Sequence, residues 1–262
     1  MQPDTNIFFR KGDALLSARH VFSKWKKTRV LQNTSLKRYI PETAQYNFSR
    51  LGEMLGRYKM VYVKPDTGTH GKGVMRAKRR SDVSFELSEG VSTHSFPSMD
   101  LLHNKIKSRI GKRKYLVQQG IHMLSHKGRK FDLRVLVQKN LNHNWEAMSI
   151  FGRKAAAHKI VTNVSNGGKM ESLSTLMSPH MSQSSIRQLR SELNQMGLAV
   201  GKQLSKNYKG LKELGLDIAL DKSMRPWILE VNTRPAIYVY RTFNPAAYRR
   251  ILRYAKAYGR TK

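Results

Sequence analysis

The sequence contains no cysteine, so neither disulfide bonds nor thiol chemistry contribute to its fold or function. It also lacks any apolar run close to the roughly 20 residues that a helix needs to cross a bilayer. Its first residues, MQPDTNIFFRKGD, lack the apolar core of a secretory signal peptide. These absences predict a cytoplasmic protein without a membrane span.

Acidic residues are scarce, since 17 Asp and Glu stand against 49 Lys and Arg and give a formal net charge of +32. Such a charge attracts polyanions, among them nucleic acid, acidic polymers, anionic surfaces and phosphorylated ligands. The basic residues are distributed along the whole chain of 262 residues. The charge is therefore explained equally well by a need for solubility in a polyanion-rich compartment and by a specific polyanionic partner. The sequence has no zinc-finger, RNP-type or basic-zipper pattern, which argues against a dedicated nucleic-acid-binding protein.

The stretch with the clearest pattern lies near the C-terminus. Residues 216–220 and 227–232 alternate in the period of a β-strand, and the residues between them are typical of a turn, which predicts an antiparallel hairpin. The alternation places Asp217, Glu230 and Asn232 on one face. Three oxygen donors suit Mg²⁺ or Mn²⁺ rather than zinc. A strand with a solvated polar face is the alternative, because such alternation is common.

A glycine-rich turn follows an apolar strand at residues 60–63 and Lys64. It contains Lys72 and three glycines, Gly68, Gly71 and Gly73. Glycines allow the backbone to approach a ligand with free N–H groups, so the segment fits a flap that covers phosphate groups. It fits an ordinary structural turn as well, and the spacing of a P-loop is absent. His70, within this turn, is better explained as a turn residue than as a catalyst.

Three further segments carry patterns. Residues 115–121 form an apolar strand that runs into a polar segment, which fits an ordinary strand end or a hinge between domains. Residues 131–137 alternate, with Asp132 and Arg134 on one face. These two form either a local ion pair of little value, or an arginine that faces a phosphate and is oriented by the aspartate. Residues 185–204 carry an apolar stripe that predicts a helix packed on the core.

In chain order these segments read YVKP with the glycine-rich turn, LVQQGI, FDLRV, an N-x-x-x-G-G loop, and LGLDIAL followed by WILEVNTRPA. This order resembles the ATP-grasp fold. The chain resembles, more narrowly, the YheC/YheD-type ATP-grasp proteins associated with bacterial endospore coats, because residues 36–43 and 61–73 are typical of that group. The resemblance covers residues 20–245.

The resemblance implies an α+β fold in which two α+β lobes hold a nucleotide between them. We therefore expect a mostly helical N-terminal cap at residues 1–59, a first lobe with the flap at residues 60–114, and a second lobe with the metal site at residues 115–262. It implies ATP as the nucleotide and one or two Mg²⁺ ions, or Mn²⁺, as the metal. Association with the spore is a further implication of the family.

The resemblance also assigns individual residues. Arg134 and Arg153 match arginines that stabilise the γ-phosphate or an acyl-phosphate, and Asn163 lies in a loop beside the transferred group. The residues expected at the nucleotide are Lys64, Gly68, Gly71, Lys72, Gly73, Gln118, Gln119, Gly120, Ile121, Asp132, Gly167 and Gly168. The expected metal ligands are Asp217, Glu230 and Asn232.

The implied activity is that of an ATP-dependent ligase, in which a substrate carboxylate becomes an acyl-phosphate that an amine or another nucleophile attacks. The basic charge suits an acidic or polymeric carboxylate substrate. The alternative is a spore- or coat-associated protein that binds a nucleotide without turnover and binds polyanions through its basic surface. Departures from the family pattern include residues 232–236, which read NTRPA instead of NTxPG, and residues 122–126, which lack the acidic residue that holds the ribose in many members. The upstream phosphate-contacting lysine has three candidates, Lys24, Lys26 and Lys27.

Overall fold

The first of two antiparallel sheets is built from the N-terminal half of the chain. The computed structural model describes residues 19–69, 71–156 and 168–261. Within them, six strands pair in the order β1-β6-β2-β3-β4-β5. Their bounds are β1 Thr43–Gln45, β2 Met60–Pro65, β3 Met75–Ser81, β4 Ser84–Glu89, β5 Ser92–Phe96 and β6 Tyr115–Gln119.

The N-terminal half also contains three helices and a short 3₁₀ helix at Ser35–Tyr39; Leu31 of the first helix and Leu36 of the 3₁₀ helix lie in the core of the second sheet. The three helices are α1 Lys24–Gln32, α2 Phe48–Tyr58 and α3 Met99–Ile110. Helix α2 begins where the Asn47 side chain accepts a hydrogen bond from the Arg50 N–H, which satisfies a free donor of the first turn. Its apolar residues recur at helical spacing and are buried against the first sheet, namely Leu51, Met54 and Leu55.

The second sheet pairs in the order β10-β9-β8-β11-β12, and β7 pairs with β8 at its side. Its strands are β7 Ser125–His126, β8 Arg129–Lys139, β9 Trp145–Lys154, β10 Lys169–Glu171, β11 Glu213–Leu220 and β12 Pro226–Asn232. Its helices are α4 Leu173–Met177, α5 Gln183–Asn207, α6 Tyr240–Phe243 and α7 Pro245–Ala257. Helix α5 covers one face, and α6 and α7 pack with Leu136, Met148 and Phe151 in a separate core cluster.

Helix α5 confirms the predicted helix and its packed apolar stripe. Leu189, Leu193 and Leu204 lie in the core of the second sheet. The helix lies very close to strand β8, because a Cβ atom at Gly197 would come within 2.8 Å of the Val137 side chain. Any larger residue at position 197 would force the helix and the strand apart.

The lobe boundaries differ from those expected from the sequence. Residues 43–59 were assigned to the helical cap, but β1 pairs with β6 through Thr43 and Gln118, and α2 packs on the first sheet. Residues 115–119 were assigned to the second lobe, but β6 pairs with β1 and β2 in the first sheet. The strand at residues 115–119 was itself predicted, but pairing between distant segments leaves no local sequence pattern. The sequence therefore did not show which sheet this strand joins.

Both sheets are antiparallel and helices pack on them, so the described residues have the predicted α+β architecture. Across the described ranges, no helix has the length and apolarity needed to cross a membrane.

Candidate functional site

A cleft of about 500 Å³, lined by residues of both sheets, brings together segments that the sequence analysis singled out separately. Small-molecule sites of proteins commonly have volumes of about 300–1,000 Å³. The predicted site residues that line it are Lys64, Gly68, Gly71, Lys72, Gln118, Gln119, Ile121, Asp132, Arg134, Arg153, Asp217, Glu230 and Asn232. Five distant stretches of the chain therefore contribute to one cavity.

Three predicted residues are described but are not among the lining residues: Gly73, Gly120 and Gly168. Gly73 has a φ of +73°, and a Cβ atom there would lie 2.6 Å from the Tyr115 hydroxyl, so this glycine permits the turn at the base of the flap. Gly120 packs against the Met60 carbonyl, which its N–H contacts at 2.9 Å. His70, Asn163 and Gly167 lie outside the described residues.

The predicted hairpin is confirmed. Strands β11 and β12 are antiparallel, Asp217 lies opposite Glu230, and Gly215 lies opposite Asn232. A register shift after Asp217 marks a bulge in the ladder. Glu230 forms an ion pair with Lys24, whose Nζ lies 3.4 Å from Oε1. The hairpin thus presents two carboxylates and one amide to the cleft.

Asp217 is held by two arginines from neighbouring strands. Arg134 donates from Nε to Oδ1 at 2.6 Å, and Arg153 Nη2 lies 3.0 Å from Oδ2. Burial by itself would raise the pKa of Asp217, but the two guanidinium groups outweigh it and hold that pKa below its usual value. The carboxylate therefore stays ionised in the cleft.

Asp132 orients a different arginine from the one expected. It accepts hydrogen bonds from Arg153, with 2.8 Å between Nε and Oδ1, whereas Arg134 turns to Asp217. Residues two apart in a strand are separated by about 7 Å, but directly opposite residues of paired strands approach to about 5 Å. Asp132 lies opposite Arg153, and Asp217 lies opposite Arg134. Cross-strand register therefore decides the pairing.

The donor set fits a hard divalent cation. The residues that would hold Mg²⁺ or Mn²⁺ are Asp217, Glu230 and Asn232, all oxygen donors. Among the described residues there is no group of three His, Cys, Asp or Glu that could hold a metal ion, and the third oxygen donor beside Asp217 and Glu230 would be the Asn232 amide. The two guanidinium groups drawn to Asp217 show that this position attracts positive charge.

Lys64 is the buried cation of the first sheet. Its Nζ donates to Gln118 Oε1 at 2.8 Å and to the Leu229 carbonyl at 3.0 Å, which joins the two sheets across the cleft. Burial lowers the pKa of Lys64 to about 8. The side chain of Gln118 also donates to Thr43 Oγ1 at 2.9 Å, so it positions this lysine.

Lys24 is the upstream lysine that enters the cleft. Its Nζ donates to the flap carbonyl of Gly68 at 3.0 Å and pairs with Glu230. Lys27 instead donates to the Val21 carbonyl at 2.6 Å, inside the N-terminal segment. Lys24 follows Ser23, whose side chain caps helix α1, but nothing in the sequence distinguishes its direction from that of Lys27.

The pKa of Lys64 predicts a dependence of nucleotide affinity on pH. A phosphate bound to Lys64 requires the ammonium form, whereas free protein loses that proton above about pH 8. Binding above pH 8 must therefore take up a proton, so the Kd of ATP with Mg²⁺ should rise by up to about tenfold per pH unit between pH 8 and 9.5. Calorimetry in two buffers of different ionisation enthalpy measures this uptake. Lys64→Arg keeps its charge and should show a flat profile; an unchanged slope in that variant would contradict the assignment.

Comparison with known proteins identifies the family. The model of the YheC/D-like ATP-grasp family matches residues 12–259. The chain belongs to this family. The expected ATP-grasp fold is also confirmed by solved structures: D-cycloserine synthetase DcsG superposes with a TM-score of 0.57 at 9% identity, over 94% of this chain and 72% of that one.

Two relatives in Bacillus subtilis (strain 168) belong to the same group. The chain is 24% identical over 233 residues to the endospore coat-associated protein YheD, covering 84% of this chain and 49% of YheD. It is 25% identical over 217 residues to the endospore coat-associated protein YheC, covering 81% of this chain and 59% of YheC. This YheC/D-like chain therefore spans about half the length of these relatives.

Proposed function

We propose that this YheC/D-like ATP-grasp protein is an ATP- and Mg²⁺-dependent ligase that activates a substrate carboxylate as an acyl-phosphate. The observation that supports this proposal is the meeting of Lys64, the Arg134–Asp217–Arg153 group and Glu230 in one cleft. Phosphoryl transfer needs cations around the phosphates and oxygen ligands for a metal, and both are present. DcsG, a protein of the same fold, is named as a D-cycloserine synthetase.

The side chains divide the work of such a reaction. Lys64 would bind the phosphates of ATP, and Asp217, Glu230 and Asn232 would hold Mg²⁺, which supplies neutralisation of phosphate charge when bound. Arg134 and Arg153 would face the γ-phosphate. A carboxylate oxygen of the substrate attacks the γ-phosphorus, the bond to the bridging oxygen breaks, and ADP leaves. An amine or another nucleophile then attacks the acyl carbon and releases phosphate.

The flap is connected through Lys24 to Glu230, one of the proposed metal ligands. Lys24 contacts both the Gly68 carbonyl and Glu230. Asp66, at the base of the flap, accepts a hydrogen bond from the Trp25 N–H at 2.8 Å. Closure of the flap would exclude water, which protects an acyl-phosphate from hydrolysis.

The decisive experiment is calorimetric titration of ATP with Mg²⁺ into the parent protein and Glu230→Gln. The substitution keeps the shape of the side chain but removes one metal-binding charge, so we expect the affinity to fall by about tenfold or more. Glu53→Gln, on the exposed face of α2, is the matched control and should bind as the parent does. The proposal would have to be abandoned if the parent bound no ATP, or if both variants bound it equally.

Turnover is tested next. Release of ADP and phosphate that depends on an added carboxylate supports the ligase. ATP that is bound but never hydrolysed, whatever acid is supplied, supports the second candidate.

That second candidate is a nucleotide-binding protein without turnover that associates with polyanions at the spore. Helix α7 favours it, because the helix exposes Arg249, Arg250, Arg253 and Lys256 on its outer face. Arg250 pairs with Glu146 at 3.0 Å. YheD and YheC are named as endospore coat-associated. Binding to DNA that weakens steeply between about 50 and 200 mM salt would be the corresponding observation.

A further inference from the structure

Two arginines that the sequence analysis did not single out line the cleft beyond the metal ligands. Arg234 follows Asn232 by two positions and is exposed at the mouth of the cleft. Arg260 enters from the segment after α7, and its side chain is 14% exposed. Both arginines adjoin Pro235, because Arg234 precedes it and Arg260 donates to its carbonyl. Pro235 in turn lies near Arg134, since a Cβ atom at Gly215 would lie 2.7 Å from Pro235 and 3.3 Å from the Arg134 guanidinium.

Arg260 is fixed in place. Its guanidinium pairs with Glu213 and donates to the Pro235 carbonyl at 2.6 Å. Glu213 is buried, and its second oxygen accepts a hydrogen bond from the Tyr258 hydroxyl at 3.1 Å. An arginine held at two points loses little further side-chain entropy when it binds an anion, so this geometry favours recognition.

The surroundings of the two arginines are strongly positive. Burial lowers the pKa of His20, and although the Thr233 carbonyl raises it, the charges of Arg234, Arg260 and Arg19 lower it further. Arg19 is anchored nearby, since its Nη1 donates to the Tyr258 carbonyl at 2.8 Å. Like charges gathered in one place repel one another unless an anion lies between them.

The charge balance of the cleft points the same way. Seven cationic side chains line it, namely Lys24, Lys64, Lys72, Arg134, Arg153, Arg234 and Arg260. Three carboxylates line it, Asp132, Asp217 and Glu230, and Glu213 behind Arg260 makes a fourth. The surplus of three positive charges exceeds the roughly two negative charges of ATP with one Mg²⁺ ion. ATP with one Mg²⁺ ion therefore leaves a net positive charge among the side chains of the cleft.

We infer that Arg234 and Arg260 form a subsite for a second anionic group, a carboxylate or a phosphate, on the substrate whose carboxylate is activated at Arg134 and Arg153. The inference rests on the proposed function and narrows it, because the substrate then carries at least two anionic groups. Guanidinium groups suit both carboxylate and phosphate, which they bind through paired N–H donors.

The subsite is tested first by direct binding. Protein saturated with AMP-PNP and Mg²⁺ has its nucleotide position filled, so inorganic phosphate titrated into it reports the remaining anion site. By calorimetry in low salt, we expect phosphate to bind with a millimolar Kd that rises at least fivefold in Arg234→Gln. The Kd should rise less in Arg234→Lys, which keeps the charge but loses the paired N–H donors. Arg187→Gln removes the same charge from the exposed face of α5 and should leave the Kd unchanged.

A second measurement addresses the substrate. Matched acids that differ by one charge, succinate with succinamate and glutamate with glutamine, are compared as activators of ADP release. The member of an activating pair that carries two carboxylates should have a KM at least tenfold lower than its amide partner, and Arg234→Gln should remove that difference while kcat changes little. Because Arg234 is exposed, these variants are expected to fold, and a thermal scan is the control that tests this.

The outcomes separate the two proposals. Absence of AMP-PNP binding would overturn the ligase proposal and the subsite with it. Normal AMP-PNP binding with no phosphate binding, or with equal phosphate binding by Arg234→Gln and Arg187→Gln, would overturn the subsite alone. Equal KM values for the two members of each activating pair would do the same.

Discussion

Replacing Arg153 by methionine is expected to lower the free energy of unfolding by about 3–5 kcal/mol. The Arg153 side chain is 7% exposed, and it neutralises both Asp132 and Asp217. Methionine fills a similar volume, but it leaves Asp217 with Arg134 alone and removes the arginine that pairs with Asp132. The cost of burying unpaired charge exceeds that of losing the hydrogen bonds. Urea denaturation monitored by circular dichroism measures the change.

Two further variants show whether the cause is charge. Arg153→Met combined with Asp132→Asn removes one of the stranded carboxylates and should recover at least half of the lost stability. Arg50→Met breaks an exposed ion pair, in which the Arg50 side chain is 54% exposed and the Glu53 side chain 38%. It should lower the free energy of unfolding by less than about 1 kcal/mol. If Arg153→Met cost no more than Arg50→Met, the network would have no structural role.

Replacing Lys64 by methionine is expected to lower the affinity for ATP with Mg²⁺ by about ten- to a hundredfold with little change in thermal stability. A hydrogen bond to a charged group contributes about 1.5–3 kcal/mol, which corresponds to that range. The effect on the free energy of unfolding is expected to be small because two contributions of opposite sign nearly cancel. The variant loses the bonds to Gln118 and Leu229, but it no longer buries an ammonium group whose pKa burial lowers to about 8.

The matched control is Lys72→Met. Lys72 also lines the cleft but is exposed on the flap, where water screens its charge, so we expect less than about a threefold change in affinity. Calorimetric titration of both variants together with a thermal scan provides the test. If Lys64→Met bound ATP with the same affinity as the parent protein, Lys64 would not be part of the nucleotide site.

Much of the cleft could be predicted from the sequence because its residues lie in strongly patterned strands. The alternation around Asp217 and Glu230 predicted a hairpin with both carboxylates on one face, and strands β11 and β12 have that register. The apolar stripe of α5 likewise predicted a buried helix. In both cases the evidence is local, since the hydrophobic periodicity of a strand or a helix can be recognised within a few neighbouring residues.

The residues that escaped prediction are those placed by distant contacts. Nothing near Lys24 or Arg260 shows that the first reaches the flap and that the second is held by Glu213. The sequence paired Asp132 with Arg134, two positions away, whereas the structure pairs it with Arg153. Ion pairs of this kind depend on the register between two strands, and the hydrophobic pattern within one strand does not specify that register.

The family, the period of each main strand and helix, and the residue types in the cleft could therefore be read from the sequence. The three-dimensional arrangement was needed to show which charges pair, that β6 joins the first sheet, and that Arg234 and Arg260 line the same cleft. The physical reason is that side-chain periodicity is a local property of the chain. Ion pairing, sheet order and the balance of charge in a cavity arise when segments tens to hundreds of residues apart come within a few ångströms.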